Sequence, residues 1–284
     1  MTLPSFPPRW SAQVLAALLL LCATQGCGGA RNTHRVGWEP LRPGLDFAEV
    51  TLPGDPTQES WRIQVLRVDP RLFEVRLLSA SAYPGRRGRT VPEWASQTGA
   101  LAAINASMYM TDGVTSVALM RSGGHVNNPS LGRGMVVLLA DPVDSTMPGA
   151  RMVEMDDPAF EALLPRFRTA VQDLRIIASR PRPHVVWKGS PQKWSQAALG
   201  EDDQGRILLV FSRAPHNPSD LGRGLLELPL GIRVLAHAEG SDEASLTIRV
   251  SSLRKTWSGG QSSEVDADQE AQAVPNVIAV FPRK

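Results

Sequence analysis

Two glutamates, Glu239 and Glu243, bracket the turn Gly240-Ser241-Asp242 in the stretch RVLAHAEGSDEASLTIRV, residues 233–250. Two carboxyls so placed can share a proton or hold a cation between them, and either arrangement suits acid–base chemistry. Counting outward from the turn predicts a hairpin in which Glu239 faces Glu243. The next pairs are Ala238 with Ala244, Ala236 with Leu246, Val234 with Ile248 and Ile232 with Val250, which makes one face wholly apolar. The polar face carries the two acids and then His237 with Ser245. The same pattern also fits two acids splayed into water beside an exposed turn.

Other turns are dense in side chains able to hold a sugar or an anion. NASMYMTDG supplies Asn105, Ser107, Tyr109 and Asp112 at the end of a small-residue strand, where sites are commonly built. Asn105 and Asp112 could equally serve only in turn hydrogen bonds. Arg121 ends the following strand, QKWSQ brings Lys193 and Ser195, and SRAP brings Arg213. If these strands are neighbours, three cations converge on the two carboxylates, and Gln172 and Arg175 of AVQDLRII could join them. A divalent cation could sit between the acids, although the ligand set does not name it. No phosphate-cradling loop, zinc-protease helix or nucleophile elbow is present.

The elements that must position these residues are mostly strands. Trp61–Val68 and Leu72–Leu78 alternate around Asp69-Pro70-Arg71 and predict a hairpin, as do Val117–Arg121 and His125–Asn127 around Ser122-Gly123-Gly124. Pro92 near its start and Gly99 after its end delimit a short helix over residues 91–97. Asn217-Pro218 opens another that runs to Glu227, and Asp157-Pro158 a third whose apolar spacing reaches Phe167 despite Pro165. Strands are expected over Leu101–Asn105, Met135–Ala140, Arg206–Phe211 and the closing VPNVIAVF. The polar stretch WSGGQSSEVDADQEAQ reads as a mobile surface loop. The fold class expected is α+β, a single domain with a mixed or antiparallel sheet core and a few packed helices.

Cys22 and Cys27 are the only cysteines of the 284 residues, and both lie in an N-terminal segment with an apolar run from Val14 to Ala23. That layout is a secretory signal over residues 1–26. Ala-Thr-Gln-Gly-Cys resembles a bacterial lipobox, which would leave Cys27 as a lipid anchor, residues 27–44 as a tether and residues 45–284 as the domain. An exported, membrane-anchored lipoprotein of the cell envelope is the expectation, with periplasmic or secreted protein as the alternative. A formal charge of +2 and the lack of any basic stripe argue against a nucleic-acid partner.

The order of GALAAINASMYMTDGVTSVALMRSGGHVNNP, TAVQDLRII, QKWSQAALGEDDQGRILLVFSRAP, AHAEGSDEASL and PNVIAVF resembles the phosphodiester glycosidase family, which includes the lysosomal "uncovering" enzyme. Members usually show Asn-Gly-Gly and then an aromatic where this chain has Asn105-Ala106-Ser107-Met108-Tyr109. They show Asp-Gly-Gly where it has Glu239-Gly240-Ser241. The resemblance implies a hydrolase of a sugar-1-phosphate diester or related glycosidic bond. Glu239 would be its base or nucleophile and Glu243 its partner, with Arg121, Lys193 and Arg213 on the phosphate. Asn105, Ser107, Tyr109, Asp112 and Ser195 would bind the rest of the substrate. The implied partners are a glycan or sugar phosphate and, through Cys27, a membrane. The alternative is a non-catalytic glycan- or phosphoglycan-binding envelope lipoprotein on the same fold.

Overall fold

The computed structural model describes residues 36–133, 135–260 and 270–283. The leader, Cys27, the first half of the tether and residues 261–269 of the expected mobile loop lie outside the described residues. In the first half the strands are β1 (Glu39–Arg42), β2 (Leu45–Val50), β3 (Ile63–Val68), β4 (Phe73–Ser79), β5 (Arg89–Thr90), β6 (Ala102–Asn105), β7 (Met120–Ser122), β8 (His125–Asn128), β9 (Met135–Pro142) and β10 (Ala150–Glu154). The second half adds β11 (Phe167–Ala178), β12 (His184–Val185), β13 (Trp194–Asp202), β14 (Ile207–His216), β15 (Ile232–Gly240), β16 (Ser245–Val250), β17 (Leu253–Ser258), β18 (Ala273–Val274) and β19 (Asn276–Pro282).

A 12-stranded sheet follows the order β1-β2-β3-β14-β13-β15-β11-β7-β8, with β9 and β12 also pairing β11 and β10 pairing β9. A five-stranded sheet follows β17-β16-β6-β19-β4. Alternate residues of both sheets point into one shared core. Leu66, Leu138, Val171, Leu199 and Ala236 enter it from the large sheet, and Val75, Ile104, Leu246 and Ile278 from the small one.

Helices cover the outer faces. α1 (Val91–Thr98) lays Val91, Trp94 and Ala95 on Ala103, Val277 and Ala279 of the small sheet. It starts at a capping box between Thr90 and Glu93 and stops where Gly99 turns left-handed at φ 76°. α2 (Phe160–Leu163) is a single turn followed by a 3-10 turn around Pro165, and Phe167 already begins β11. α3 (Pro218–Glu227), capped by Asn217, covers the large sheet with Leu221 and Leu225 against Ile63, Val65, Val210 and Leu235. No helix among the described residues is long and apolar enough to cross a membrane.

Three expectations change. The strand pairings among the described residues are all antiparallel and the few helices are short outer coverings, so the antiparallel sheet core expected is present, but as a sheet-rich two-sheet sandwich that α+β describes only loosely. β1, within the segment read as tether, already pairs β2. Two expected hairpins are also absent. β15 pairs β13 and β11 while β16 pairs β17 and β6; β3 pairs β2 and β14 while β4 pairs β19. Each of these strand pairs is a corner at which the chain leaves one sheet for the other. Alternation reports which face is buried and not which strand is the neighbour, so Ala236 and Leu246 matched because they meet the same core from opposite sheets. The third expected hairpin, β7–β8, forms, with Gly123 at φ 56°.

Candidate active site at a sheet crossover

A bulge near the end of β15 aims the first glutamate. His237 pairs Ala198, but Glu239 pairs Ala197, which leaves Ala238 as an extra residue. Before the bulge Leu235 faces the α3 side. After it, Glu239 stands opposite Ala197, whose side chain lies in the core between the sheets. Glu239 therefore turns into the interlayer space, and His237 does not share its face as the unbulged register implied. His237 is buried with Trp187 and Trp194 edge-on at 5.7 and 6.4 Å. Burial pushes its pKa down to about 4, so it is neutral at physiological pH.

The acidic turn is built from both sheets. Ser241–Glu243 form a 3-10 turn, and Ser241 sits at φ 64°. From β6, the Asn105 amide donates to Glu243 O at 2.5 Å, and its Oδ1 accepts from Ser245 N at 2.6 Å. The backbone of Gly259 packs directly on Ser241 O, and its N–H donates to Ala244 O at 2.7 Å. The loop after β6 supplies Tyr109, whose hydroxyl reaches Glu243 Oε1 at 3.4 Å. That loop is docked on β11 by Ser107, whose Oγ donates to Gln172 O at 3.1 Å and accepts from Ser116 Oγ at 3.2 Å. Ser107 is at φ 58°. Ser107 and Ser241, which stand where the resemblance has the second glycine of each Gly-Gly pair, thus both keep a left-handed backbone. That geometry costs a non-glycine residue about 1 kcal/mol or more.

The acids brought together here are undercompensated. Burial raises Glu239 to about 8, against a partly offsetting 3.0 Å bond from Gly240 N, and the charges of Glu243, Asp173 and Asp242 add to the rise. Asp173, on β11, is 2% exposed, and burial raises it to about 7. Ser107 lies close enough to offset part of that rise, yet neither Asp173 oxygen has a hydrogen-bond partner of good geometry. Glu243 is raised by burial and by Asp242. Tyr109 is pushed up to about 12 by burial and then by Glu243 and Glu239. A cluster that resists full ionisation keeps protons available near neutral pH.

Other expected site residues are engaged elsewhere. The Arg121 guanidinium donates to the carbonyls of Leu164 at 2.8 Å and Arg168 at 3.3 Å, so main chain takes up part of its donor set. Arg175 pairs Glu154 at 2.9 Å and Asp156 at 2.8 Å, and Gln172 is buried against Leu119 N and Gly132. Asp112 closes a turn onto Val114 N, Thr115 N and Thr115 Oγ1; the Thr115 bonds hold its pKa down to about 2. Asn105 spends its amide on the Glu243 and Ser245 backbone, and Ser107 its hydroxyl on Gln172 O and Ser116 Oγ, so both help position the turn. Ser195 is buried, donating to Arg213 O at 2.7 Å and accepting from Gly260 N at 2.9 Å. Lys193 is exposed beside Trp194. Arg213 lines a cleft of about 990 Å³ with Arg62, Lys255, Glu49, Trp257 and Ser258.

Among the described residues no three His, Cys, Asp or Glu side chains gather in a metal-holding group. A Ser–His–Asp line does occur: Ser212 Oγ to His216 Nδ1 at 2.9 Å, and His216 Nε2 to Asp55 at 2.7 Å. Ser212 is fully buried and also faces Ala214 O at 3.1 Å, so this line ties a surface loop to β14 and offers no accessible nucleophile. Sequence reading missed Asp173. Its signal was a carboxylate inside a long apolar strand, two residues from Val171 on the core-facing side.

No family model and no curated protein matches the chain. Solved structures do. A hypothetical protein from Synechocystis superposes with a TM-score of 0.61 at 13% identity, over 89% of this chain and 64% of that one. The catalytic domain of zebrafish N-acetylglucosamine-1-phosphodiester alpha-N-acetylglucosaminidase, auto-inhibited by its pro-peptide, gives 0.60 at 12% identity, over 88% and 87%. A Burkholderia pseudomallei protein described as exported gives 0.51 at 12% identity, over 78% and 74%. This chain spans less than two thirds of the Synechocystis protein's length. At such identities the likeness establishes a shared fold, one that also serves as the catalytic domain of a glycosidase.

Proposed function

We propose that this protein is an exported hydrolase of a glycosidic bond, with sugar-1-phosphate diesters or related glycosides as its substrate class and Glu239 as its principal carboxyl. One observation carries the reading: Glu239, Glu243, Asp173 and Tyr109 converge at the crossover from three segments, each with its pKa raised above the ordinary value. The fold shared with a glycosidase catalytic domain supports it. Export is supported by the leader pattern and by the fold shared with a protein described as exported. Attachment through Cys27 is part of the proposal, and Cys27→Ser should release the protein from membranes.

The protonation state revises the role assigned from sequence. A half-buried Glu239 that holds its proton to about pH 8 is suited to act first as an acid. It gives that proton to the bridging oxygen as the C1–O bond breaks. Glu243, at the more open side of the turn, takes a proton from water as the hydroxyl bonds to C1. The free sugar and the phosphomonoester or alcohol leave, and the proton on Glu243 returns to Glu239 through the cluster or solvent.

The test is sugar release from aryl and phosphodiester N-acetylglucosaminides by the wild type and by Glu239→Gln. Release by the wild type and a fall of about 10²–10⁴-fold in the variant are expected. Equal release from both would remove Glu239 from the chemistry. The glycan-binding alternative is favoured by the capture of Arg121 by main-chain carbonyls, and tight binding without release by the wild type would establish it.

A further inference from the structure

Asp173 meets no reacting atom in the chemistry above, and its placement is unusual. It lies one step beyond the Leu174–His237 pair on β11, next to β15. Its pairing with β9 is regular from Thr169 to Leu174, so it shares the face of Val171 and points into the interlayer space. The bulge at Ala238 turns Glu239 into that same space. The groups around them are the acids Glu243 and Asp242 from the turn and the phenol of Tyr109 from the loop after β6. Arg175, two residues away, pairs Glu154 and Asp156. A carboxylate whose two oxygens both lack partners at 2% exposure would leave a charge uncompensated, and a protonated carboxyl avoids that cost.

We infer that Asp173, facing the same interlayer space as Glu239 from the neighbouring strand, is a positioning residue that carries a proton beside Glu239 and so fixes the protonation state in which Glu239 meets substrate. This builds on Glu239 as the principal carboxyl. Asp173 touches no reacting atom in this scheme; it acts through Glu239. Because the two carboxyls share one small space, ionising either makes the other harder to ionise, and the coupling must be equal in both directions.

The experiment is side-chain carbon NMR titration of the full chain labelled at aspartate and glutamate, without substrate. In the wild type two carboxyls should titrate in separated steps well above the ordinary carboxylate range. Asp173→Asn, which mimics the neutral acid, should remove one step and move the Glu239 step acid-ward by about one pH unit or more. Glu239→Gln should remove the upper step and leave Asp173 titrating alone at or near the lower one, because Asp173 ionises while Glu239 is still neutral, and this reading survives if Asp173→Asn does not fold. Where turnover is measurable, the alkaline limb of kcat/KM should shift acid-ward in Asp173→Asn with the neutral plateau lowered less than about tenfold. A Glu239 step that stays in place, or an activity loss uniform across pH, would overturn the inference. Coupled titration in a protein that releases no sugar would retain the Asp173–Glu239 linkage and refute the hydrolase reading alone.

Discussion

Two corners carry the chain from the large sheet to the small one, and they treat their acids in opposite ways. At the β3–β4 corner Asp69 accepts from Arg71 N at 2.9 Å and from Arg71 Nη2 at 2.7 Å, and its pKa is lowered chiefly by that arginine. At the β15–β16 corner Glu239 is flanked by Glu243, Asp242 and Asp173, and its pKa is raised to about 8. The topology is the same and both corners alternate alike in sequence. One corner settles its charge locally and serves the fold. The other leaves charge unsettled, a state that stability alone does not favour and that acid–base chemistry uses.

The largest effect expected from breaking this contrast is on turnover. Glu239→Gln should lower sugar release by about 10²–10⁴-fold, equivalent to about 3–5 kcal/mol in the barrier, while leaving thermal stability at neutral pH unchanged or higher. Assay and melting curve on one preparation check both halves. Asn105→Ala should follow, destabilising by about 2–4 kcal/mol in denaturant titration, because Glu243 O and Ser245 N lose their partners together.

Asp69→Asn should cost about 1–2 kcal/mol with no change in turnover per folded molecule, since the Asp69 corner holds structure only. The two corners should also differ in pH dependence. Glu239 binds its proton more tightly folded than unfolded, so its contribution is complete below its ordinary 4.5 and is lost as pH rises through about 8. Asp69 has the opposite sign, with a contribution present above its ordinary 3.8 and lost as pH falls through its lowered folded value. Denaturant midpoints across pH should therefore flatten on the alkaline side in Glu239→Gln and on the acid side in Asp69→Asn. An unchanged alkaline slope in Glu239→Gln would mean its carboxyl is solvated in the folded state.

The smallest effect should come from Ser241→Gly. Relief of the left-handed backbone at φ 64° is partly cancelled by the freer unfolded chain, for a net gain below about 1 kcal/mol in melting. A loss instead would show that the serine hydroxyl holds the turn.

Local rules made much of this legible. Thr90, Pro92 and Gly99 bound α1, Asn217 and Pro218 open α3, and Ser122-Gly123-Gly124 closes β7 onto β8, because capping and turn chemistry act within a few residues. The suspicion that Glu239 and Glu243 lie together was likewise readable, since three residues separate them. The chemistry attached to Arg121 was not, because whether a guanidinium meets a phosphate or the Leu164 carbonyl depends on which strands become neighbours.

By itself, then, the sequence determined which residues alternate into a core, where helices start and stop, and that two acids crowd one turn. Only the tertiary structure decided that β15 and β16 belong to different sheets, and that a single bulged residue, Ala238, rotates Glu239 away from His237 and toward Asp173. Periodicity constrains each strand to a face through short-range sterics and burial. The choice of partner, and with it the charge each acid meets, is a long-range balance over the whole sandwich.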